Sequence, residues 1–347
     1  MSMLHASHAN DASSAGTTAP PTASLMRWVI IATLPGIIAM TYCFGLGVLS
    51  NIVLAAALGV LFESGVLYLR KRPIAPALND SSALLTGVLL GVSLPPASPW
   101  WLIGVGMIAA VVIAKQLYGG LGHNPFNPAM VGYALLLVSF PTYMTLWAPP
   151  QPLISDTLWA QIMGTLPIAN IDALSGATPL DAFKQKAQGM PAFQFWASDP
   201  LPDGTLEAWR LISLAWLAGG VLLLCKRIVS WHIPTAMLGS LLIMATLFYM
   251  ADADGFASPV FHLLTGATLF GAFFIATDPV SAATSRRGKL LYGAGIGFLI
   301  IVIRNLGGYP DAVAFAVLLM NLCVPLIDLY TVPNPMGHPK RILGAPR

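Results

Sequence analysis

The residues best placed to do chemistry lie in one polar stretch, "IDALSGATPLDAF", from Ile171 to Phe183. Thr178 closes the run "DALSGAT", which holds Asp172, Ser175, Gly176 and Ala177, and Pro179 follows it. A threonine hydroxyl is a poor nucleophile without a base, and no histidine lies near it in sequence to complete a triad. The same hydroxyl can instead be an acceptor that another enzyme modifies. Gly176 and Ala177 leave the backbone open to a bulky partner, and Pro179 keeps the site out of regular helix. Ser-Gly-Ala-Thr is equally a common loop composition, so the residues alone leave both readings open. A near copy, "TGAT" (Thr265 to Thr268), has His262 where the first copy has Asp172 and falls in an apolar run that a soluble enzyme cannot reach. Its small residues read as a surface for close helix packing. "SAAT" (Ser281 to Thr284) lacks the central glycine.

A second polar group is the loop "GHNPFNP". Asn124 and Asn127 stand three apart beside Pro125 and Pro128, offering amide donors and acceptors at the entrance to a helix. Asn127 also suits the N-cap of that helix, with Pro128 in its first turn. Ionisable groups within apolar sequence are functional candidates: Glu63, Asp278, Asp328, and Arg304 with Asp311. For each of these, pairing or helix capping is favoured over ion conduction. Cys43, Cys225 and Cys323 lie in apolar segments without metal-ligand spacing, which argues against a zinc or iron–sulfur site. "GAGIG" (Gly293 to Gly297) lacks the spacing of a dinucleotide fingerprint, so NAD is expected on another chain.

The elements that must position these residues are membrane helices. The chain is 56% hydrophobic and 9% charged with mean hydropathy +0.74, against about 25% charged in soluble domains. Ten apolar spans are read: Trp28 to Phe44, Leu46 to Leu69, Ala83 to Leu94, Trp100 to Leu117, Ala129 to Trp147, Trp209 to Cys225, Ile233 to Met250, Val260 to Ile275, Leu290 to Ile303 and Ala312 to Tyr330. With the N-terminus inside, all but four of the 17 basic residues (Lys184, Lys186, Arg210 and Arg304) fall on the inner side, as the positive-inside rule requires. Thr178 then lies outside. The expected organisation is a disordered cytoplasmic tail (1–24, with no signal-peptide pattern), a five-helix repeat (25–147), an external loop (148–208), a second five-helix repeat (209–330) and a cytoplasmic tail (331–347).

The halves echo each other. "LLTGVLLG" (from Leu84) matches "LLTGATLFG" (from Leu263), and "KQLYGGLGHNPFNPAM" (from Lys115) matches "RNLGGYPDAVAF" (from Arg304). Five spans per half is an odd number, so the repeats must be inverted. The third and eighth spans are short and run into Pro95-Pro96 and Asp278-Pro279. Twelve residues rise about 18 Å, less than the roughly 30 Å apolar core, so both are expected to be half-helices. The fold class is thus an all-α polytopic membrane protein of about ten transmembrane helices.

"DALSGAT" resembles the flavin-attachment motif Asp-x-x-Ser/Thr-Gly-Ala-Ser/Thr, in which a flavin transferase joins FMN through its phosphate to the last hydroxyl. The wider chain resembles the D subunits of Rnf-type ion-translocating electron transport complexes. The resemblance runs through "NDSSALLTGVLLGVSLPP", "AKQLYGGLGHNPFNPAMVGYALLLVSFP", "SGATPLDAFK", "LAWLAGGVLLL", "HLLTGATLFGAFFIATDPVSAATS" and "GGYPDAVAFAVLLMNLCVPLIDLYT". It implies a bacterial inner-membrane subunit of a ferredoxin- and NAD-linked translocase, with Thr178 carrying covalent FMN on the periplasmic side and no catalytic residue or metal of its own. It also implies iron–sulfur, second-flavin and small membrane subunits as partners, and no nucleic acid. In the paralogous B subunit of the sodium-pumping NADH:quinone reductase an Asn pair matching Asn124 and Asn127 contacts non-covalent riboflavin; helix capping is the other reading of that pair here. A role like that B subunit's, a flavin-free secondary transporter and a cofactor-free scaffold are the competing functions.

Overall fold

The computed structural model describes residues 22–96, 98–147, 150, 177–186, 190–309 and 311–332. The regular elements among them are helical: α1 Thr22–Phe44, α2 Gly47–Leu69 (followed by a single helical turn, Ile74–Leu78), α3 Ser82–Ser93, α4 Trp100–Gln116, α5 Pro128–Ser139, α6 Pro141–Thr145, α7 Pro179–Lys184, α8 Ala192–Ala197, α9 Thr205–Cys225, α10 His232–Ala251, α11 Pro259–Leu264, α12 (Thr268–Phe270 continuing through Gly271–Ile275), α13 Arg286–Leu306 and α14 Val313–Thr331. Among the described residues six of these, α1, α2, α9, α10, α13 and α14, are long and apolar enough to cross a membrane. The chain is a multi-pass membrane protein. Large apolar side chains face outward on these helices, with Ile38 and Val53 each 67% exposed, as lipid-facing residues should be.

Several helix starts follow one rule. Asn127, Thr178, Ser258 and Ser285 each accept a hydrogen bond from the backbone N–H three residues on, and the first three are followed by proline at the first helical position. The side-chain oxygen satisfies a donor that the first turn leaves free, and proline has no such donor to lose.

Three expectations change. The first helix begins at Thr22, ahead of the expected Trp28. The fifth span is two helices, because Phe140 leaves helical geometry just before Pro141; the residue before proline is pushed out of the α region. The eighth span breaks inside the second "TGAT" copy, between α11 and α12, where Gly266 has φ +66°. The third is one continuous short helix, as expected.

Small residues set the helix spacing. A Cβ on Gly87 of α3 would lie 2.5 Å from Ala56 Cα of α2, and one on Gly297 of α13 would collide with Met237 O and Ser240 Oγ of α10. Across the molecule α1 packs on α9 and α5 on α14. Because the obstacle at Gly297 includes backbone, Gly297→Ala is expected to cost about 1–3 kcal/mol. Gly239→Ala, on open space in α10, should be neutral or stabilising by up to about 1 kcal/mol. Thermal unfolding of the two variants in detergent measures the contrast.

Candidate functional site

Thr178 is the N-cap of α7 and is half-buried, beside exposed Ala177. Its hydroxyl donates to Asp181 Oδ2 at 2.9 Å and accepts from Asp181 N–H at 3.2 Å. Asp181 is 8% exposed. Burial pushes its carboxyl above the usual range, the Thr178 hydrogen bond pulls it part of the way back, Asp311 adds a further upward push and Lys184 a downward one. Lys184 Nζ donates to the carbonyls of Ile303 (3.4 Å), Arg304 (3.1 Å) and Tyr309 (2.7 Å), so α7 is anchored on the C-terminal end of α13. Burial lowers the Lys184 ammonium and Asp181 raises it.

Beneath α7 lies the break of the second copy. Leu180 sits so close over Gly266 that a Cβ there would lie 2.5 Å from Leu180 Cδ1. Asp311 Oδ2 accepts from Ala267 N–H at 3.0 Å, while its Oδ1 accepts from Arg304 Nη2 at 3.1 Å and from Ala312 N–H at 2.7 Å. Arg304 Nη1 donates to His262 O at 2.9 Å. Thr265 Oγ1 returns to Phe261 O and Thr268 Oγ1 to His262 O. The threonines of the second copy are therefore buried, and their hydroxyls satisfy the carbonyls of a broken helix. The role of this copy goes beyond the close packing expected from its small residues.

Thr178, Leu180 and Asp181 line the rim of a cavity shared with Gly266, Ala267 and Asp311. Its wall is aromatic and sulfur-bearing: Trp147, Trp209, Trp216, Phe270, Met40, Met130 and Met144, with Tyr133 as a polar member. Trp147 and Trp209 pack edge to face at 5.2 Å, and Trp216 tilts on Phe270 at 4.6 Å. Such a lining offers broad, polarisable faces to a flat conjugated ring.

A second cavity brings Asn124 and Asn127 together with Lys115, Ser82, Thr86, Thr277 and Asp278. Asn127 caps α5 through Met130 N–H and donates to Ile275 O at 3.3 Å, so the capping half of its reading holds. Asn124 Nδ2 donates to Phe126 O, and its buried Oδ1 has no partner among the described residues. Beside them Lys115 Nζ pairs with Glu63 Oε1 at 2.6 Å and donates to Ser82 Oγ at 2.6 Å, and Gln116 Nε2 also reaches Glu63 Oε1. Lys115 and Glu63 are each 1% exposed. Asp278 accepts from Ser281, and Asp328 from Thr284; among the described residues neither pairs with Arg286 or Arg287, and the Arg304–Asp311 pair forms as expected.

The family model described as "NQR2, RnfD, RnfE family" matches residues 10–337. The chain belongs to that family. It is 48% identical over 339 residues to the D subunit of the ion-translocating oxidoreductase complex of Vibrio vulnificus, covering 91% of this chain and 96% of that protein. Proteins of the same name from Yersinia enterocolitica (52% over 332 residues; 91% and 95% covered) and Salmonella arizonae (50% over 335; 92% and 95%) are similar throughout.

In this family member Thr178 stands at the rim of the aromatic cavity and Ala177 beside it is exposed, while Asp172, Ser175 and Gly176 lie outside the described residues. Asn124 and Asn127 belong to the other cavity. Asp181 was legible only as the fourth residue of Thr-x-x-Asp, the spacing of a capping box. Lys184, Gln116 and Ser82 carry no sequence signal for the partners they find. Since Lys115 neutralises a buried carboxylate, Lys115→Met should destabilise the chain by about 3–5 kcal/mol, and Lys115→Met with Glu63→Leu by much less. Thermal unfolding of the single and double variants in detergent checks this.

Proposed function

We propose that the chain is the D subunit of an ion-translocating oxidoreductase complex linking ferredoxin and NAD, and that it carries FMN as a phosphoester on Thr178. The observation that carries the reading is a threonine hydroxyl held at the rim of a cavity walled by tryptophan, phenylalanine and methionine. These residues fit the group: Thr178 is half-buried beside exposed Ala177, and the wall suits a flat ring. When bound, FMN supplies electron transfer in one- or two-electron steps; the chain supplies position and electrostatics. Thr178 tethers, Trp147, Trp209 and Phe270 offer stacking faces, and Tyr133 offers a hydrogen bond. At the second cavity the unpartnered Asn124 Oδ1 and the Lys115 ammonium would hold the polar edge of non-covalent riboflavin, with Asn127 fixing the entrance of α5.

The accompanying topology is ten spans in two inverted five-helix repeats, in a bacterial inner membrane, with both termini cytoplasmic and the Thr178 loop periplasmic. In support, matching members of the halves pair with each other, α1 with α9 and α5 with α14, and the broken α11–α12 segment suits the family of inverted-repeat folds. Partners would be iron–sulfur, second-flavin and small membrane subunits, together with a flavin transferase for maturation. Broken helices alone would equally suit a flavin-free secondary transporter; the names of the similar proteins favour the oxidoreductase complex's D subunit over the quinone reductase's B subunit.

The experiment is a denaturing gel of the chain made alongside a flavin transferase, viewed under ultraviolet light. The wild type and Thr268→Ala should fluoresce, and Thr178→Ala should be dark. A dark wild type overturns the tether. A topology reporter inserted at residues 187–189 should be active only on the outer side.

A further inference from the structure

Thr178 has a hydroxyl that is inert as a nucleophile unless something takes its proton. Among the described residues the group that faces it is the Asp181 carboxylate, 2.9 Å from Oγ1. In a capping box the acid three residues on reaches back to the backbone N–H of the cap residue. Here that acid accepts from the cap residue's own hydroxyl while its backbone N–H donates to the same oxygen at 3.2 Å. One residue therefore orients Oγ1 and offers an acceptor for its proton. This is the relation of a general base to its nucleophile.

We infer that Asp181 is the proton acceptor when Thr178 is modified by a flavin dinucleotide, so that the acceptor chain supplies the base for its own flavin attachment. The inference rests on Thr178 being the FMN tether. In the step, Thr178 Oγ attacks the phosphorus of the FMN half of the dinucleotide. The Oγ–P bond forms, the pyrophosphate P–O bond breaks, AMP leaves with the bonding electron pair, and the hydroxyl proton passes to Asp181 Oδ2. Nothing is oxidised or reduced. The product places a phosphodiester anion where the hydroxyl had been, and a protonated Asp181 can donate to it where a carboxylate would repel it.

The surroundings suit a carboxyl that changes state. Lys184 faces Asp181 from its own helix, Asp311 from the segment before α14, and Tyr133 lies near both from α5; Arg304 reaches it from α13 through Asp311. Asp311 is fully engaged by Arg304 and by three backbone N–H groups, so the free capacity to take a proton lies with Asp181. Burial and the Asp311 charge raise the proton affinity of Asp181, and a stronger base is the more effective acceptor at neutral pH.

Asp181→Asn tests this, because an amide oxygen still accepts the Thr178 hydrogen bond and the backbone cap is untouched, yet the side chain takes no proton. The full-length chain, purified in detergent without flavin, is incubated with flavin adenine dinucleotide and a purified flavin transferase, and in-gel fluorescence is followed in time from pH 5.5 to 8.5. At neutral pH the initial rate should fall about a hundredfold, the low end of general-base contributions. The ratio of wild-type to variant rates should shrink towards one as pH falls and Asp181 becomes protonated; the transferase's own titration cancels in that ratio. Equal rates, or a lower rate with a ratio independent of pH, overturn the base and leave Asp181 as a cap. If Asp181→Asn does not fold, Asp181→Glu and Asp181→Gln form a second pair of equal length, compared in the same way. A wild type that takes no label overturns the tether itself; a labelled wild type with an equally labelled Asp181→Asn overturns only the base.

Discussion

An interrupted helix that is buried needs replacements for the hydrogen bonds it gives up, since an apolar interior provides none. Between α11 and α12 the replacements come from one ion pair and two threonines. Asp311 takes the Ala267 N–H, Arg304 takes the His262 carbonyl, and each is held in place by the other. Thr265 and Thr268 return their hydroxyls to the carbonyls of the preceding turn. With the break secured, Gly266 can adopt its left-handed conformation and expose a surface with no side chain. Leu180 rests on that surface, and Lys184 clasps the end of α13. The placement of Thr178 at the cavity rim therefore depends on the Arg304–Asp311 pair, although its own hydroxyl bonds to neither residue.

The two repeated words "LLTG" have opposite outcomes, for a physical reason. In α3 the run is continuous, and Gly87 is there because the backbone of Ala56 passes too close for any side chain. In the second half the same glycine position turns the chain, because Asp311 is present to capture the freed N–H. The basic residues that begin "KQLYGG" and "RNLGGY" diverge in a parallel way. Lys115 is buried against Glu63 and Ser82, tying α2, α3 and α4 together, whereas Arg304 ties α11, α13 and the segment before α14. Desolvating such charges offsets most of their attraction, so their contribution lies in fixing which helices meet and less in net stability.

Much of this is legible in the residues. Apolar length locates the long helices to within a few residues, the start of α1 excepted, and Asn127-Pro128 announces a cap that the structure contains. Short-range signals fail where the deciding partner is distant in sequence. The break at Gly266 depends on Asp311, more than forty residues away, and a run of apolar residues around a glycine reads as continuous helix. The split at Phe140 is signalled by Pro141, yet its uniformly apolar flanks make the two helices look like one span. Lys115 reads as an inner-surface charge; its burial follows from Glu63, on a different helix. For the candidate site, residue types and spacing single out Thr178, but its partner Asp181 stands out only through side-chain geometry.

The duplicated tetrapeptide is what joins these features. A surface threonine on a flexible loop would have no fixed position relative to the helices. Thr178 is instead the cap of a helix only six residues long, too short to be stable alone. What holds that helix is external to it: Leu180 on Gly266, Lys184 on the carbonyls of α13, and Phe183 stacked at 5.8 Å on Trp196. The first of these contacts is available only because the second copy is made of small residues and is broken at its glycine. One "GAT" presents a hydroxyl, and the other withholds its hydroxyls and its side-chain bulk so that the first can be seated. The second copy needs its small residues because its backbone at Gly266 is approached closely by Leu180 of α7.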